Sequence, residues 1–91
     1  MTFQPEQLDA FLAVFDANKE NIRAVAGCER LELLQDIHQP AIIMTYSYWN
    51  SEADLENYRH SDLFKSVWSK TKPLFAERPQ AWSVNKRVVL D

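Results

Sequence analysis

The sequence contains a single glycine, a single cysteine and no long apolar run, and each shortage excludes a class of protein. One glycine, Gly27, cannot build a glycine-rich phosphate loop. One cysteine, Cys28, cannot form an internal disulfide, and this fits a reducing compartment. No run approaches the roughly eighteen apolar residues of a membrane span, and the N-terminus lacks a signal-peptide pattern. We therefore predict a cytoplasmic protein with no membrane partner.

Positive charge and metal-binding side chains are also scarce. The net charge is −3, and the longest basic run is Lys86-Arg87, so the concentrated positive patch that nucleic acid requires is missing. His38, His60 and Cys28 do not stand at metal-ligand spacing, and no base is placed beside Cys28, which is most simply interpreted as small core filling. We predict no nucleic-acid partner, no metal and no cofactor.

Aromatic residues, by contrast, are plentiful. The 91 residues include three Trp, three Tyr and five Phe, and 46% of the chain is hydrophobic. This length makes one domain over residues 1–91, and a chain of this size buries only about 60–65% of its unfolded surface. Oligomerisation is a common way to stabilise such a small core, and closed dimers are the commonest form. We predict a homodimer.

The first half of the chain predicts a short strand, a helix and a longer strand. Met1–Phe3 is a stub of strand, and an apolar stripe from Leu8 to Val25 predicts one helix from about Pro5 to Ala26. Gly27 ends that helix, because glycine accepts the left-handed conformation of a C-terminal cap. Residues 28–37 then alternate as a half-buried strand.

The second half predicts a strand, a helix that restarts, and a closing strand. Residues 41–49 form the partner of a hairpin, and because neither face is plainly polar, we expect both to be covered. Ser51 begins a helix, and Ser61 resembles a second N-terminal cap, so we expect a bend near His60. Gln80–Leu90 alternates again, with one apolar face formed by Trp82, Val84, Val88 and Leu90.

This order of elements predicts an α+β fold, the ferredoxin-like split βαβ sandwich. Two helices would cover one face of an antiparallel sheet. The other face would need a partner.

The densest group of aromatic and ionisable side chains lies between residues 46 and 68. We predict a pocket for a flat aromatic molecule, with His60 or Tyr58 handling a proton as the catalytic group. The remaining candidates for substrate binding are Tyr46, Tyr48, Phe64 and Trp68. The alternative interpretation is that Phe64 and Trp68 are core residues and that His60 is an exposed residue of a helix bend.

Several short stretches resemble the antibiotic biosynthesis monooxygenase (ABM) family over nearly the whole chain. They are Ala26-Gly27-Cys28, Tyr48-Trp49-Asn50-Ser51, Leu55-Glu56-Asn57-Tyr58-Arg59-His60-Ser61, Asp62-Leu63-Phe64-Lys65 and Trp82-Ser83-Val84. The resemblance implies a ferredoxin-like domain that pairs into a dimeric α/β barrel. It also implies activities that include cofactor-independent oxidation of aromatic polyketides and quinols, haem degradation and isomerisation.

The chain departs from that family at positions that matter for chemistry. Matched to the haem-degrading branch, Tyr58 stands in place of a Trp, Trp68 stands in place of the haem-ligating His, and Met1–Phe3 offers no Asn. Other members carry a His where this chain has Tyr58. The first strand is also several residues shorter than is usual in the family. The mismatches with the haem-degrading branch disfavour haem degradation.

Two functions of different classes follow. One is a cofactor-independent monooxygenase that acts on an aromatic quinol or anthrone. The other is a non-catalytic module of the same fold that binds a small molecule or dimerises. A purely structural dimer that binds a partner is a third interpretation. The sequence leaves open whether the protein is an enzyme.

Overall fold

A computed structural model describes residues 1–91 and contains one β-hairpin and three α-helices. We name the elements in chain order, and two short 3-10 turns, Pro5–Gln7 and Lys72–Leu74, flank the helical parts. The named elements are α1 (Leu8–Arg23), β1 (Cys28–Gln35), β2 (Ile43–Trp49), α2 (Glu52–Arg59) and α3 (Asp62–Thr71).

Helix α1 confirms the predicted first helix, although its first turn is a 3-10 turn that begins at Pro5. Phe11 and Ile22 are the buried residues of its apolar stripe. The chain reverses direction after α1 at Gly27, whose φ of +87° is in the region that side chains with a Cβ rarely adopt. Helix α1 ends at Arg23 with Ala24 as its C-cap, three residues before the predicted end, so Gly27 does not cap the helix but turns the chain into β1.

Strands β1 and β2 form the predicted antiparallel hairpin. Leu31 pairs with Ser47 and Leu33 with Thr45, and the register shifts between Cys28 and Arg30 as in a β-bulge. Alternation along the strands turns Leu31, Leu33, Thr45 and Ser47 towards the helices. The opposite face, which we call the outer face, includes Leu34, Met44, Tyr46 and Tyr48.

The turn of the hairpin is held by Asp36. Its Oδ1 accepts hydrogen bonds from the backbone N–H groups of His38 and Gln39 at 2.8 and 2.9 Å, and these bonds lower the pKa of the carboxyl group from its usual 3.8.

We expect the Asp36→Ala variant to be less stable than the parent at neutral pH. A carboxylate with a lowered pKa stabilises the folded state above the pKa of the unfolded chain, and this contribution is lost as the pH falls through the folded pKa. The difference between the two urea midpoints should therefore shrink in acid. A difference that does not change with pH would contradict the role of the charge.

The two helices after the hairpin are separated by a second cap, as predicted. Ser51 Oγ accepts from the Asp54 N–H at the start of α2, and Ser61 Oγ accepts from the Phe64 N–H at the start of α3, each at 3.1 Å. Serine caps satisfy N–H groups that a helix leaves unpaired. His60 occupies the C-cap position between the two helices.

The core is built around the first strand stub. Phe3 is 1% exposed and its ring lies 4.3 Å from that of Phe11 and 5.1 Å from that of Phe75. The backbone around Phe3 bridges Ile42 on one side and Phe75 on the other, so the stub lies between the hairpin and the chain that follows α3.

The closing strand predicted over Gln80–Leu90 is not formed, and this corrects the sequence interpretation. After Phe75, the N–H groups of Ala76 and Glu77 both reach the carbonyl of Thr2, at 2.8 and 3.4 Å. Beyond that point the chain pairs with no other strand. Residues 80–91 are irregular, and all of them are exposed.

The architecture is an α+β fold of the ferredoxin-like type, with α1 and α3 packed together over one face of an antiparallel hairpin. No helix has both the length and the apolar character that crossing a membrane would require.

Candidate functional site

A cavity of about 140 Å³ lies between the hairpin and the helices. Ten of its thirteen lining residues are hydrophobic. The wall formed by β2 consists of Thr45, Ser47 and Trp49. The facing wall includes Tyr58 of α2 and Phe64, Val67, Trp68 and Thr71 of α3. Such an apolar cavity with a few hydroxyl groups suits a small, largely flat guest.

Four aromatic rings follow one another along this cavity. Trp49 stacks on Tyr58 with centroids 5.3 Å apart, and the edge of Tyr58 meets Phe64 at 5.2 Å. Phe64 and Trp68 are nearly parallel at 6.0 Å. The contacts connect three separate elements, so the position of each ring is fixed by its neighbours as well as by its own helix or strand.

Ser61 fixes the spacing between the two central rings. Its hydroxyl donates a hydrogen bond of 2.6 Å to the carbonyl of Tyr58 and accepts one from the N–H of Phe64. One side chain thereby ties the end of α2 to the start of α3. Because the helix breaks at this point, the side chains of Tyr58 and Phe64 both line the same cavity.

Tyr58 is the only ionisable side chain in the cavity wall. Partial burial raises the pKa of its phenol above the ordinary value of 10, and an electrostatic interaction with Cys28 acts in the same direction. The phenol is therefore neutral at physiological pH, and none of the side-chain hydrogen bonds within the chain involves its hydroxyl. It is free to donate a hydrogen bond to a guest.

Tyr46 and Tyr48 lie on the outer face of the hairpin and do not face Phe64 or Trp68. Their neighbours in β2, Thr45 and Ser47, line the cavity, and alternate residues of a strand point to opposite faces. The two tyrosine rings contact each other edge to face, with centroids 5.2 Å apart.

His60 lies outside the cavity as well. Its side chain is 72% exposed, Nδ1 is 2.9 Å from the carbonyl oxygen of Glu56, and the same nitrogen is 3.5 Å from the Glu56 carboxylate. Of the six residues predicted from the sequence, the structure thus brings together Tyr58, Phe64 and Trp68 and leaves Tyr46, Tyr48 and His60 apart from them. The functional roles of all six stay predictions.

Sequence reasoning did not select Thr45, Ser47 and Trp49 as site residues. The signal was present, because the alternation of β2 places these three side chains on the face opposite Tyr46 and Tyr48. Only the packing of the helices shows which of the two faces carries the cavity.

A second, more open groove of about 410 Å³ runs between α1 and β1. Its two basic side chains are already engaged, Lys19 with Asp16 and Arg23 with the carbonyl of Cys28. No three His, Cys, Asp or Glu side chains cluster closely enough to hold a metal ion. The cavity beside Tyr58 is therefore the better candidate site.

Solved structures similar to this chain share its fold. A Bordetella bronchiseptica protein that carries the name antibiotic biosynthesis monooxygenase superposes with a TM-score of 0.84 at 21% identity, covering 97% of this chain and 91% of its own. A Mycobacterium tuberculosis protein gives 0.78 at 20% identity, with coverage of 96% and 91%. A conserved Methanosarcina mazei protein gives 0.80 at 21% identity, with coverage of 85% and 76%.

No functionally curated protein gives a significant match to the sequence. The model of one family, antibiotic biosynthesis monooxygenase, matches residues 1–68. This match spans more than half of the chain and includes α1, the hairpin, α2 and most of α3. The chain therefore belongs to the antibiotic biosynthesis monooxygenase family.

Proposed function

We propose that the protein is a cofactor-independent monooxygenase that oxidises an electron-rich aromatic molecule of the quinol or anthrone type. The observation that carries this proposal is the aromatic cavity, in which the neutral Tyr58 phenol is placed to donate a hydrogen bond to an oxygen of the guest. Membership of the family supports the class of reaction.

The volume of the cavity favours small substrates within this class. About 140 Å³ compares with the engineered cavity of ~150 Å³ that binds benzene. A single aromatic ring therefore fits without rearrangement, whereas the three fused rings of an anthrone would have to displace side chains. We propose a monocyclic or naphthalene-type quinol ahead of an anthrone.

The chemistry needs only the substrate and molecular oxygen. A hydroxyl of the substrate loses its proton to bulk water as the substrate enters the cavity, and the resulting anion gives an electron to oxygen. Recombination of the two radicals forms a carbon–oxygen bond. The peroxide anion takes up the proton that the substrate released, and loss of water from the hydroperoxide leaves a carbonyl group. One oxygen atom thus enters the product and the other leaves in water, while the substrate is oxidised and oxygen reduced.

The protein's part is to hold the anion and to exclude water. A hydrogen bond from the Tyr58 hydroxyl would stabilise the negative charge on the substrate oxygen, and apolar walls increase the strength of that bond. The hydroxyl groups of Thr45 and Ser47 face the same space and would orient a second oxygen of the guest. The aromatic rings would hold the plane of the substrate.

We expect Tyr58→Phe to lower oxygen uptake with quinol substrates by roughly 10- to 100-fold, because one donor to the developing charge is lost. Uptake should be followed with the purified protein and a series of quinols and anthrones, without flavin, metal or nicotinamide, against an autoxidation blank. The ring contacts with Trp49 and Phe64 remain in this variant, so its folding should be retained.

His60→Ala is the matched control, because His60 is exposed and bonds only to Glu56. Its rate should stay within about twofold of the parent. If His60→Ala removes the activity and Tyr58→Phe does not, the catalytic group is the histidine and the assignment to Tyr58 is wrong.

A non-catalytic binding module is the second candidate function. It is favoured by one observation: no carboxylate, lysine or histidine lines the cavity to act as a base. Binding of quinols without oxygen uptake above the blank would support this function over the monooxygenase.

We also propose that the chain acts as a homodimer of the dimeric α/β barrel type. The outer face of the hairpin supports this, because Leu34, Met44 and Tyr46 are 39%, 52% and 39% exposed there. These side chains lie beside the Arg30–Glu32 ion pair of the same face, and exposed apolar groups of this size are normally covered.

A further inference from the structure

One hydrogen bond in the wall of the cavity fixes a hydroxyl group beside Tyr58. The indole N–H of Trp49 donates to Ser47 Oγ at 2.9 Å, and both residues line the cavity on the side of β2. An indole nitrogen only donates, so this bond occupies a lone pair of the serine oxygen and leaves its proton unused. No other group of the chain accepts that proton. The Ser47 hydroxyl is therefore available to donate a hydrogen bond to a guest.

The position of Trp49 is itself fixed from two sides. Its ring stacks on that of Tyr58 with centroids 5.3 Å apart. Its backbone pairs with Cys28, where the register of the hairpin shifts, and a bulge of this kind sets the direction of nearby side chains. The indole N–H therefore holds the serine oxygen in one place, next to the ring partner of the tyrosine.

The other two aliphatic hydroxyl groups of the cavity wall differ from that of Ser47. The Thr71 hydroxyl donates to the carbonyl of Val67 at 2.8 Å, so its proton is already used. The Thr45 hydroxyl makes no hydrogen bond within the chain, so no contact orients it. Ser47 thus combines an unused proton with an oxygen that a neighbouring side chain holds in place.

We propose that Ser47, positioned by Trp49, binds the second oxygen of the substrate and makes the cavity selective for aromatic rings that carry two oxygens. The inference rests on the proposed function, because it takes the cavity as the place where the quinol binds. Tyr58 donates a hydrogen bond to one oxygen and Ser47 donates to the other. A site built to hydrogen-bond a particular group discriminates against an analogue that lacks the group.

The exposure of the lining residues indicates how the ring lies. Ser47 is exposed and Tyr58 is half-buried, whereas Phe11 and Ile22 in the wall formed by α1 are only 3% and 6% exposed. The oxygen bound to Ser47 would therefore lie at the solvent side of the cavity, and the oxygen bound to Tyr58 would lie further in. Water competes for the outer hydrogen bond, so its effect is smaller than that of a buried bond.

The test compares two guests of nearly the same shape, hydroquinone and 4-methylphenol, in which a methyl group replaces one hydroxyl. Their dissociation constants are measured by titration calorimetry with the full chain, without oxygen so that no turnover occurs. The ratio of the two constants is the informative quantity, because a general change in the cavity affects both guests. We expect Ser47→Ala to lower the preference for hydroquinone by roughly 10-fold, the effect of one lost hydrogen bond.

Three further variants serve as controls. Ser47→Thr keeps the hydroxyl and should keep most of the preference. Ser66→Ala makes the same substitution at an exposed position of α3 outside the cavity, and the ratio should stay within about twofold of the parent. Thr45→Val removes the other hydroxyl of β2 and should lower the preference less than Ser47→Ala. If Thr45→Val removes the preference and Ser47→Ala does not, the assignment to Ser47 is overturned.

The Trp49→Phe variant tests whether the indole positions the serine. Phenylalanine keeps an aromatic ring against Tyr58 but has no N–H group to donate. We expect the preference for hydroquinone to fall by roughly 2- to 5-fold, less than in Ser47→Ala, because the serine hydroxyl is present but no longer held. An unchanged ratio in Trp49→Phe would overturn the positioning role of the indole.

Failure of this inference can be told apart from failure of the monooxygenase. If Ser47→Ala keeps the parent ratio, the selectivity does not come from Ser47, and the inference is wrong even when oxygen uptake is observed. If the selectivity depends on Ser47 but no quinol supports oxygen uptake, the inference stands and the chain is a binding module. A parent that binds neither compound would overturn both.

Discussion

Replacing Phe3 by alanine is expected to destabilise the chain by roughly 3–5 kcal/mol, the largest loss that we predict for a single side chain. Phe3 is 1% exposed and contacts Phe11 and Phe75, so its removal leaves a cavity where the stub, α1 and the chain after α3 meet. Small domains have only about 5–15 kcal/mol of stability in total. Urea unfolding followed by circular dichroism should show a strongly reduced midpoint.

Phe3→Leu and Val84→Ala show whether the loss comes from packing. The leucine variant keeps most of the buried volume and should lose about 1–1.5 kcal/mol. Val84 is 73% exposed, and its truncation should change the stability of the monomer by less than about 0.5 kcal/mol. A loss for Phe3→Ala no larger than that for Phe3→Leu would show that Phe3 is not the centre of the core.

Gly27→Ala is expected to destabilise the chain by roughly 2–5 kcal/mol, because two penalties act together. The φ of +87° is strained for any residue with a Cβ, and a Cβ built at this position overlaps the side chain of Asp54 in the first turn of α2. Relief would have to come from moving α2, which carries Tyr58. Thermal unfolding should show the loss directly.

Ala26→Ser, at the exposed neighbouring position, is the control for Gly27→Ala and should stay within about 0.5 kcal/mol of the parent. The shift of α2 would also alter the cavity. We therefore expect Gly27→Ala to weaken quinol binding even under conditions in which the variant is fully folded. Unchanged stability of the Gly27→Ala variant would mean that the turn around residue 27 relaxes without moving α2.

The helices and the hairpin could be predicted because their signals are local. Pro5, Ser51 and Ser61 each act on backbone groups within a few residues, and the structure places each of them at the predicted start of a helical element. Gly27 was also recognised as a turn, but it lies beyond the end of α1, between that helix and β1. The closing strand could not be predicted reliably, since alternation shows which residues share a face but not whether a neighbouring strand exists.

The part of the site that could be predicted also depends on local signals. Phe64 and Trp68 share a face of α3 by spacing alone, and the Ser61 cap brings Tyr58 beside them. Whether Tyr46 or Ser47 faces the helices depends on the register of β2 and the packing of α1 and α3, which are properties of the whole fold. The His60 ring contacts the carbonyl of Glu56, one helical turn earlier, and therefore points away from the cavity. The closeness of His60 to Tyr58 in the sequence did not show this orientation.

The three tryptophans occupy three different surroundings, and this makes the protein its own optical reporter. Trp49 is stacked on Tyr58, Trp68 lies between Phe64 and Phe75, and Trp82 is 76% exposed in the irregular residues 80–91. A guest in the cavity would change the emission of the first two, whereas covering residues 80–91 would shift the emission of the third to shorter wavelength. Occupancy of the cavity and association of the chains can thus be followed separately by intrinsic fluorescence, with single Trp→Phe variants identifying each band.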